Sequence, residues 1–133
     1  MSNNEKVDIF NQWLDKAMED IMAASILMEH ETPLTFPVCF HCQQAVEKLL
    51  KGFLLFHDWE LIKTHNLNFL KEECLKFDKS FEGFDFVDLN QFTMTGRYPG
   101  PFGSLPTVND AKQFIQLAKE VKELILSKIS LNN

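Results

Sequence analysis

Arginine is nearly absent from this sequence. Of the 133 residues, 13 are Lys or Arg, and Arg97 is the sole arginine. Asp and Glu number 19, which gives a formal net charge of -6. A domain with this balance is a poor general binder of nucleic acid, because contacts to phosphates need local positive charge. Any contact with RNA would therefore use a local basic position, and Arg97 stands out because its planar fork binds phosphate in a bidentate manner.

Cysteine, glycine and proline are also scarce, and long apolar runs are missing. The three cysteines, Cys39, Cys42 and Cys74, predict reduced thiols rather than a disulfide framework. No stretch approaches the roughly 20 apolar residues of a membrane helix. The N-terminal segment lacks a basic region followed by an apolar one, so no secretory signal is expected. We therefore expect a soluble, cytoplasmic protein without membrane contact, forming a single domain over residues 1–133.

Phenylalanine, in contrast, is abundant. The sequence contains 13 Phe against 1 Tyr and 2 Trp. So much aromatic surface is expected to lie mostly in a core or an interface. We interpret the cluster formed by Phe77, Phe81, Phe84, Phe86 and Phe92 as core, with part of it as an alternative dimer surface.

Apolar residues recur at spacings of three and four in three long segments, which predicts amphipathic helices. The first runs from Val7 to His30 and the second from Phe36 to about His57. The last starts at Thr107, where Asp110 three residues later forms a variant of the capping box.

Shorter segments are predicted between the second and last helices. A helix from Leu67 to Cys74 would be capped by Thr64 or Asn66. A turn follows it, and then a weaker helix over 84–95, which Gly96 would end. The Gly- and Pro-rich stretch 96–106 is predicted to be an irregular loop. The sum is an all-α, up-down bundle of about five helices.

The predicted second helix carries a mixed polar strip formed by Gln43, Gln44, Glu47 and Lys51. These side chains would line a cleft facing Arg97, with Lys51 on a phosphate and the glutamines on a base or sugar. The alternative is a structural network, because Glu47 and Lys51 are an i, i+4 pair with Glu on the favourable N-terminal side. The sequence leaves both interpretations open.

Two further groups invite a chemical interpretation. His65, close after Lys63, would serve as a proton donor or acceptor, since imidazole titrates near neutral pH; the alternative is a helix cap or a core side chain. Cys39 and Cys42, with His41 between them, suggest a metal site. A closed zinc site needs four ligands, and no second such motif is present, so we interpret these cysteines as core residues and expect no metal.

Three segments together resemble the HEPN family. They are the run 39–51 (CFHCQQAVEKLLK), the run 63–67 (KTHNL) and the run 96–99 (GRYP). The first helix, with Trp13 and the spacing Ala17, Asp20, Ala24, also fits. Each motif is short, but their order and spacing extend the resemblance from about residue 7 to residue 129.

The resemblance implies a helical bundle, commonly dimerised, with links to nucleotides and RNA. Many members are encoded beside a small nucleotidyltransferase and form toxin–antitoxin pairs with it. A large group are metal-independent ribonucleases marked by an Arg, a short polar spacer and a His. This sequence departs from that pattern, because no histidine follows Arg97; all four precede it: His30, His41, His57 and His65. The usual acid–base group is missing, so we do not expect a self-sufficient enzyme.

Three hypotheses follow for the function. The first is a homodimeric binding module that holds a nucleotide or RNA phosphate through Arg97, Lys51 and Lys63, with Tyr98 stacking on a base. It would serve a nucleotidyltransferase partner or another nucleic-acid-linked system. The second is a weak ribonuclease, in which Arg97 stabilises the phosphorane and His65 or Tyr98 carries the proton. The third is a non-catalytic interaction protein whose polar strip is structural. None of the three needs a cofactor.

Overall fold

Four α-helices make up most of the described chain. The computed structural model describes residues 1–93 and 105–131. The helices are α1 (Asn3–Glu29), α2 (Thr35–Phe56), α3 (Leu67–Leu75) and α4 (Val108–Leu131), and these ranges contain no strand. The prediction of an all-α bundle is confirmed, with four helices rather than about five. Within the described ranges, no helix has the length and apolar character needed to cross a membrane.

Helix α2 is the centre of the bundle. It packs against α1, α3 and α4, and its apolar face is buried along most of its length. The short connection over 30–34 makes α1 and α2 antiparallel neighbours. They approach closely at Gly52, where an added Cβ would lie 3.1 Å from Trp13 Cβ. The close approach places the polar edges of α2 beside residues from other parts of the chain.

The helix starts follow the predicted capping chemistry. Asn66 caps α3, because its Oδ1 accepts hydrogen bonds from the amides of Asn68 and Phe69 at 3.0 and 3.2 Å. At α4, the Thr107 amide donates to Asp110 Oδ2 at 2.9 Å, and the Asp110 amide donates to Thr107 Oγ1 at 3.0 Å. Both predicted caps are confirmed, and the α4 cap is reciprocal.

The predicted helix over 84–95 is wrong. The described part of that range holds only a 3₁₀ helix, Leu89–Gln91, and the preceding predicted turn contains another, Lys79–Gly83. Asp85 explains part of the difference, since its Oδ1 accepts from the Val87 amide at 3.0 Å and favours a local turn over a helix. Three apolar side chains of this segment are buried, namely Phe86, Leu89 and Phe92. Their spacing therefore reflects a loop anchored in the core rather than a helix.

This anchored loop holds the start of α3. Asn90 Oδ1 accepts a hydrogen bond from the Leu67 amide at 2.7 Å, which satisfies a donor that no residue within α3 can pair. Leu67 itself is fully buried. The residues just before α3, including His65, are therefore fixed against α2.

The predicted interpretation of the phenylalanine cluster as core is confirmed for its three buried members, Phe81, Phe86 and Phe92. Phe77 is 46% exposed, and its ring stacks on His57 with centroids 4.8 Å apart. Phe53 covers another side of the same imidazole at 4.6 Å. Burial, followed by the nearby charge of Lys6, lowers the pKa of His57 below its ordinary value, and the carboxylates of Asp58 and Asp78 oppose this only in part.

We predict that His57 makes the protein less stable in mild acid. Because its folded-state pKa is lowered, the unfolded chain binds more protons below about pH 6.5. The stability that neutral His57 contributes is complete above that value and is lost as the pH falls through the folded-state pKa. Urea denaturation between about pH 7.5 and 5 should therefore show a smaller loss of stability for His57→Phe than for the natural sequence.

His30→Gln is the matched control. His30 is exposed and, among the described residues, bonds to the backbone of Thr32 alone, so this variant should keep the full pH dependence. An unchanged pH dependence in His57→Phe would contradict the assignment.

Candidate functional site

The polar strip of α2 meets the segment before α3 at a buried carboxylate. Glu47 Oε2 lies 3.0 Å from Lys51 Nζ, and Glu47 Oε1 lies 2.8 Å from His65 Nδ1. The side chains of Glu47 and Lys51 are only 7% and 8% exposed. Each charge is compensated by a partner at hydrogen-bond distance, which a charge removed from water requires. The i, i+4 ion pair that the sequence suggested is present.

The contact with Glu47 determines that Nδ1 of the His65 ring carries a hydrogen. A carboxylate only accepts hydrogen bonds, so Nδ1 of His65 must carry the hydrogen in this contact. Nε2 makes no hydrogen bond to any described residue, and the His65 side chain is 59% exposed. A histidine with one ring nitrogen held by a carboxylate, on a largely exposed side chain, is suited to proton transfer or to contact with an anion.

The two glutamines complete this network. Gln43 is fully buried, and its Nε2 donates to the backbone carbonyl of His65 at 3.1 Å. Gln44 is half-buried, and its Nε2 donates to Gln43 Oε1 at 2.8 Å. Every polar residue predicted on the α2 strip is thus joined to His65, directly or through a neighbour. We name this set, consisting of Gln43, Gln44, Glu47, Lys51 and His65, the Glu47 network.

The remaining predicted site residues fall in different places. Lys63 is exposed and forms no ion pair within the described chain. Arg97 and Tyr98 lie outside the described residues, so the predicted cleft between the α2 strip and Arg97 stays a prediction.

The sequence did not reveal a second polar cluster, which joins α1 to α2. Asp20 of α1 is bound at Oδ2 by Lys48 Nζ at 2.5 Å and at Oδ1 by His41 Nδ1 at 2.9 Å. The available signal was the position of Asp20 within the apolar stripe of α1, between Ala17 and Ala24, which are fully buried. An acidic residue in such a stripe needs a partner, although its identity cannot be read from local spacing.

The cysteines belong to the core, as predicted. Cys39, Cys42 and Cys74 are free and fully buried. Burial, helped by Asp110, raises the pKa of Cys39 to about 12, and burial, helped by Cys39 and Asp20, raises that of Cys42 to about 12. Burial also raises the pKa of Cys74. Neutral, enclosed thiols are poor nucleophiles and poor metal ligands. Within the described ranges, no three His, Cys, Asp or Glu side chains are grouped to hold a metal ion.

A cavity of about 200 Å³ lies at the start of α4, away from the Glu47 network. It is lined by Asp88, Phe92, Leu105, Pro106, Thr107, Asp110 and Phe114. The charged side chains among these are two carboxylates, Asp88 and Asp110, which would repel an anionic ligand. The α2 edge is therefore a better candidate for a phosphate than this cavity.

The fold and the site define an all-α bundle whose central helix carries a polar network built around the buried pair Glu47 and Lys51. The family model for the HEPN domain matches residues 10–129, which is most of the chain. This protein belongs to the HEPN family, as its three short motifs had indicated. Searches of the curated proteins and of the solved structures gave no match.

We predict that Glu47 and Lys51 depend on each other for stability. Glu47→Ala would leave a buried lysine without its carboxylate, which should lower the free energy of unfolding by about 3–5 kcal/mol. The double variant Glu47→Leu with Lys51→Met removes both charges and should be markedly more stable than Glu47→Ala, because no buried charge remains unpaired. Urea denaturation at about pH 7 gives the free energy of unfolding of the natural protein, of Glu47→Ala and of the double variant.

Glu120→Ala is a suitable control for this prediction. Glu120 is exposed and bonds to Gln116 one turn away, so its loss should cost less than about 0.5 kcal/mol. A similarly small effect for Glu47→Ala would show that the buried pair contributes little.

Proposed function

We propose that this protein is a binding module that holds a phosphate group of a nucleotide or of RNA at the edge of α2. The observation that carries the proposal is His65, whose Nδ1 is held by the buried carboxylate of Glu47 while its side chain is 59% exposed. Membership of the HEPN family, which is linked to nucleotides and RNA, supports it.

The residues of the proposed site divide into two roles. Lys63 and His65 are exposed and would touch the phosphate, and half-buried Gln44 would reach a base or sugar. Gln43, Glu47 and Lys51 lie behind them and would position His65, because Lys51 is only 8% exposed and is already paired. Arg97 and Tyr98 are proposed to complete the site, with the guanidinium on a phosphate and the ring stacked on a base.

A second candidate function is favoured by the same imidazole. A histidine held by a carboxylate is the usual arrangement for a general acid or base, so His65 would carry a proton in RNA cleavage while Arg97 stabilises the charged intermediate. Tyr98 is the alternative proton carrier. This ribonuclease activity would be weak, since no histidine follows Arg97 in the sequence.

We further propose that the module acts as a homodimer beside a minimal nucleotidyltransferase, in a pair of the toxin–antitoxin type. Self-association is supported by an apolar stripe on the outer face of α1. Met18, Met22 and Ile26 follow one another at four-residue spacing and are 45%, 64% and 61% exposed. Contiguous exposed apolar side chains of this kind mark contact surfaces.

We predict that loss of Lys63, His65 or Arg97 weakens ligand binding. Calorimetric titration with ATP, GTP and a short RNA should give saturable binding to the natural protein. It should weaken by about ten-fold or more in His65→Gln, Lys63→Gln and Arg97→Ala, since each removes a charge-assisted contact. Lys119→Gln, which removes an exposed lysine of α4, is the control and should bind normally.

The same variants separate the three hypotheses. Loss of binding with unchanged folding supports the module. Cleavage of the RNA that disappears in His65→Gln or Arg97→Ala supports the ribonuclease. Absence of both binding and cleavage in the natural protein would leave an interaction protein whose polar strip is structural.

We predict that the α1 stripe mediates dimer formation. Met22→Lys should weaken self-association by at least about ten-fold in analytical ultracentrifugation, because it places a charge in the middle of the apolar contact. Val87→Lys, at a side chain 58% exposed elsewhere on the surface, should leave the association unchanged. A natural protein that stays monomeric over the whole concentration range would contradict the prediction.

A further inference from the structure

Asp20 is a carboxylate in a position that the fold would otherwise give to an apolar residue. It is 9% exposed, and it lies on the buried face of α1 with Ala17 and Ala24. A charge at this depth is tolerated only with partners, which come from α2. The side chains of Lys48 and His41 converge on the two oxygens of Asp20.

Lys48 balances the charge of Asp20 at Oδ2, and the second oxygen of the carboxylate is bound by His41. Its Nδ1 lies 2.9 Å from Asp20 Oδ1 and must carry the hydrogen, because the carboxylate only accepts. Nε2 makes no hydrogen bond within the described part of the chain, and the side chain is 31% exposed. The imidazole is oriented with one nitrogen directed away from its carboxylate, as in the contact of His65 with Glu47.

The order of burial in this cluster favours an anion. The Asp20 side chain is 12% exposed, whereas those of Lys48 and His41 are 26% and 31% exposed. The side chains of Lys48 and His41 are therefore more accessible to an approaching ligand than that of Asp20. A lysine and a protonated imidazole offer charge-assisted hydrogen bonds, and phosphate oxygens are suitable acceptors for both.

Gln44 connects this cluster to the Glu47 network. It follows His41 by three residues and precedes Lys48 by four, so the three side chains neighbour one another on α2. Gln44 also donates to Gln43, whose amide binds the carbonyl of His65. One polar face of α2 is thus flanked by a carboxylate-held histidine on each side.

We propose that Asp20, His41 and Lys48 form a second phosphate subsite, in which His41 Nε2 and Lys48 Nζ bind the oxygens and Asp20 positions both. The proposal rests on the proposed function, because it extends the phosphate contact at His65 along the same face of α2. A ligand with several phosphates, such as an oligonucleotide backbone, would engage both subsites.

Nuclear magnetic resonance of the histidine ring carbons and their protons tests this proposal in the natural protein. The four signals are assigned with single His→Gln variants, and inorganic pyrophosphate is added at about pH 6, where imidazole carries substantial charge, with ionic strength held constant by chloride. The His41 signal should shift saturably. The signal of His30, an exposed histidine bonded to the backbone of Thr32, is the internal control and should not saturate.

A variant gives the second measurement. His41→Gln keeps an amide donor for Asp20 but loses the protonated ring, so pyrophosphate should bind about ten-fold more weakly. A short uridine oligonucleotide, titrated in parallel, distinguishes a nucleic-acid backbone from a free polyphosphate as the source of the phosphate. A His41 shift with either probe supports the subsite.

The outcomes separate this proposal from the one on which it rests. A saturable shift of His65 without one of His41 overturns the second subsite and leaves the proposed function intact. A His41 response that only parallels that of His30 overturns the subsite as well. If neither His41 nor His65 responds to any probe, both proposals fail.

Discussion

The buried carboxylate of Glu47 is the constraint around which the polar side of this bundle is arranged. A carboxylate that is 7% exposed in the middle of a core helix must be paired, or it would oppose folding by several kcal/mol. Lys51 provides the compensating charge from the same helix, and His65 adds a bond from a distant segment. The next residue, Asn66, caps α3, so the bond between His65 and Glu47 lies directly before the start of that helix.

Local chemistry explains which parts of the fold could be predicted. The long helices follow from apolar spacing, and the caps at Asn66 and Thr107 follow from side chains that bond to nearby amides. The segment over 84–95 was wrongly predicted to be a helix, because three buried apolar residues anchor an irregular loop there. Asp85 turns the chain locally, while Asn90 uses its side chain to hold α3, and neither task requires a helix.

The same distinction applies to the site. The pair formed by Glu47 and Lys51 was visible in the sequence because both lie on one helix, four residues apart. The pairing of His65 with Glu47 and of His41 with Asp20 joins residues 18 and 21 positions apart, across separate elements. Such contacts depend on how the helices pack, so the sequence indicated the residue types but not their partners.

The packing also explains how an acidic protein would attract phosphate. The net charge of -6 describes the whole chain, but an arriving anion responds first to the charges within about 10 Å of it. Beside α2, the carboxylates of Glu47 and Asp20 are largely buried, while His65, Lys48 and His41 are more exposed. The carboxylates orient the rings, and the side chains that pair with them remain accessible to solvent. A local attraction for phosphate is therefore compatible with a negative net charge, because the carboxylates of Glu47 and Asp20 are more buried than His65, Lys48 and His41.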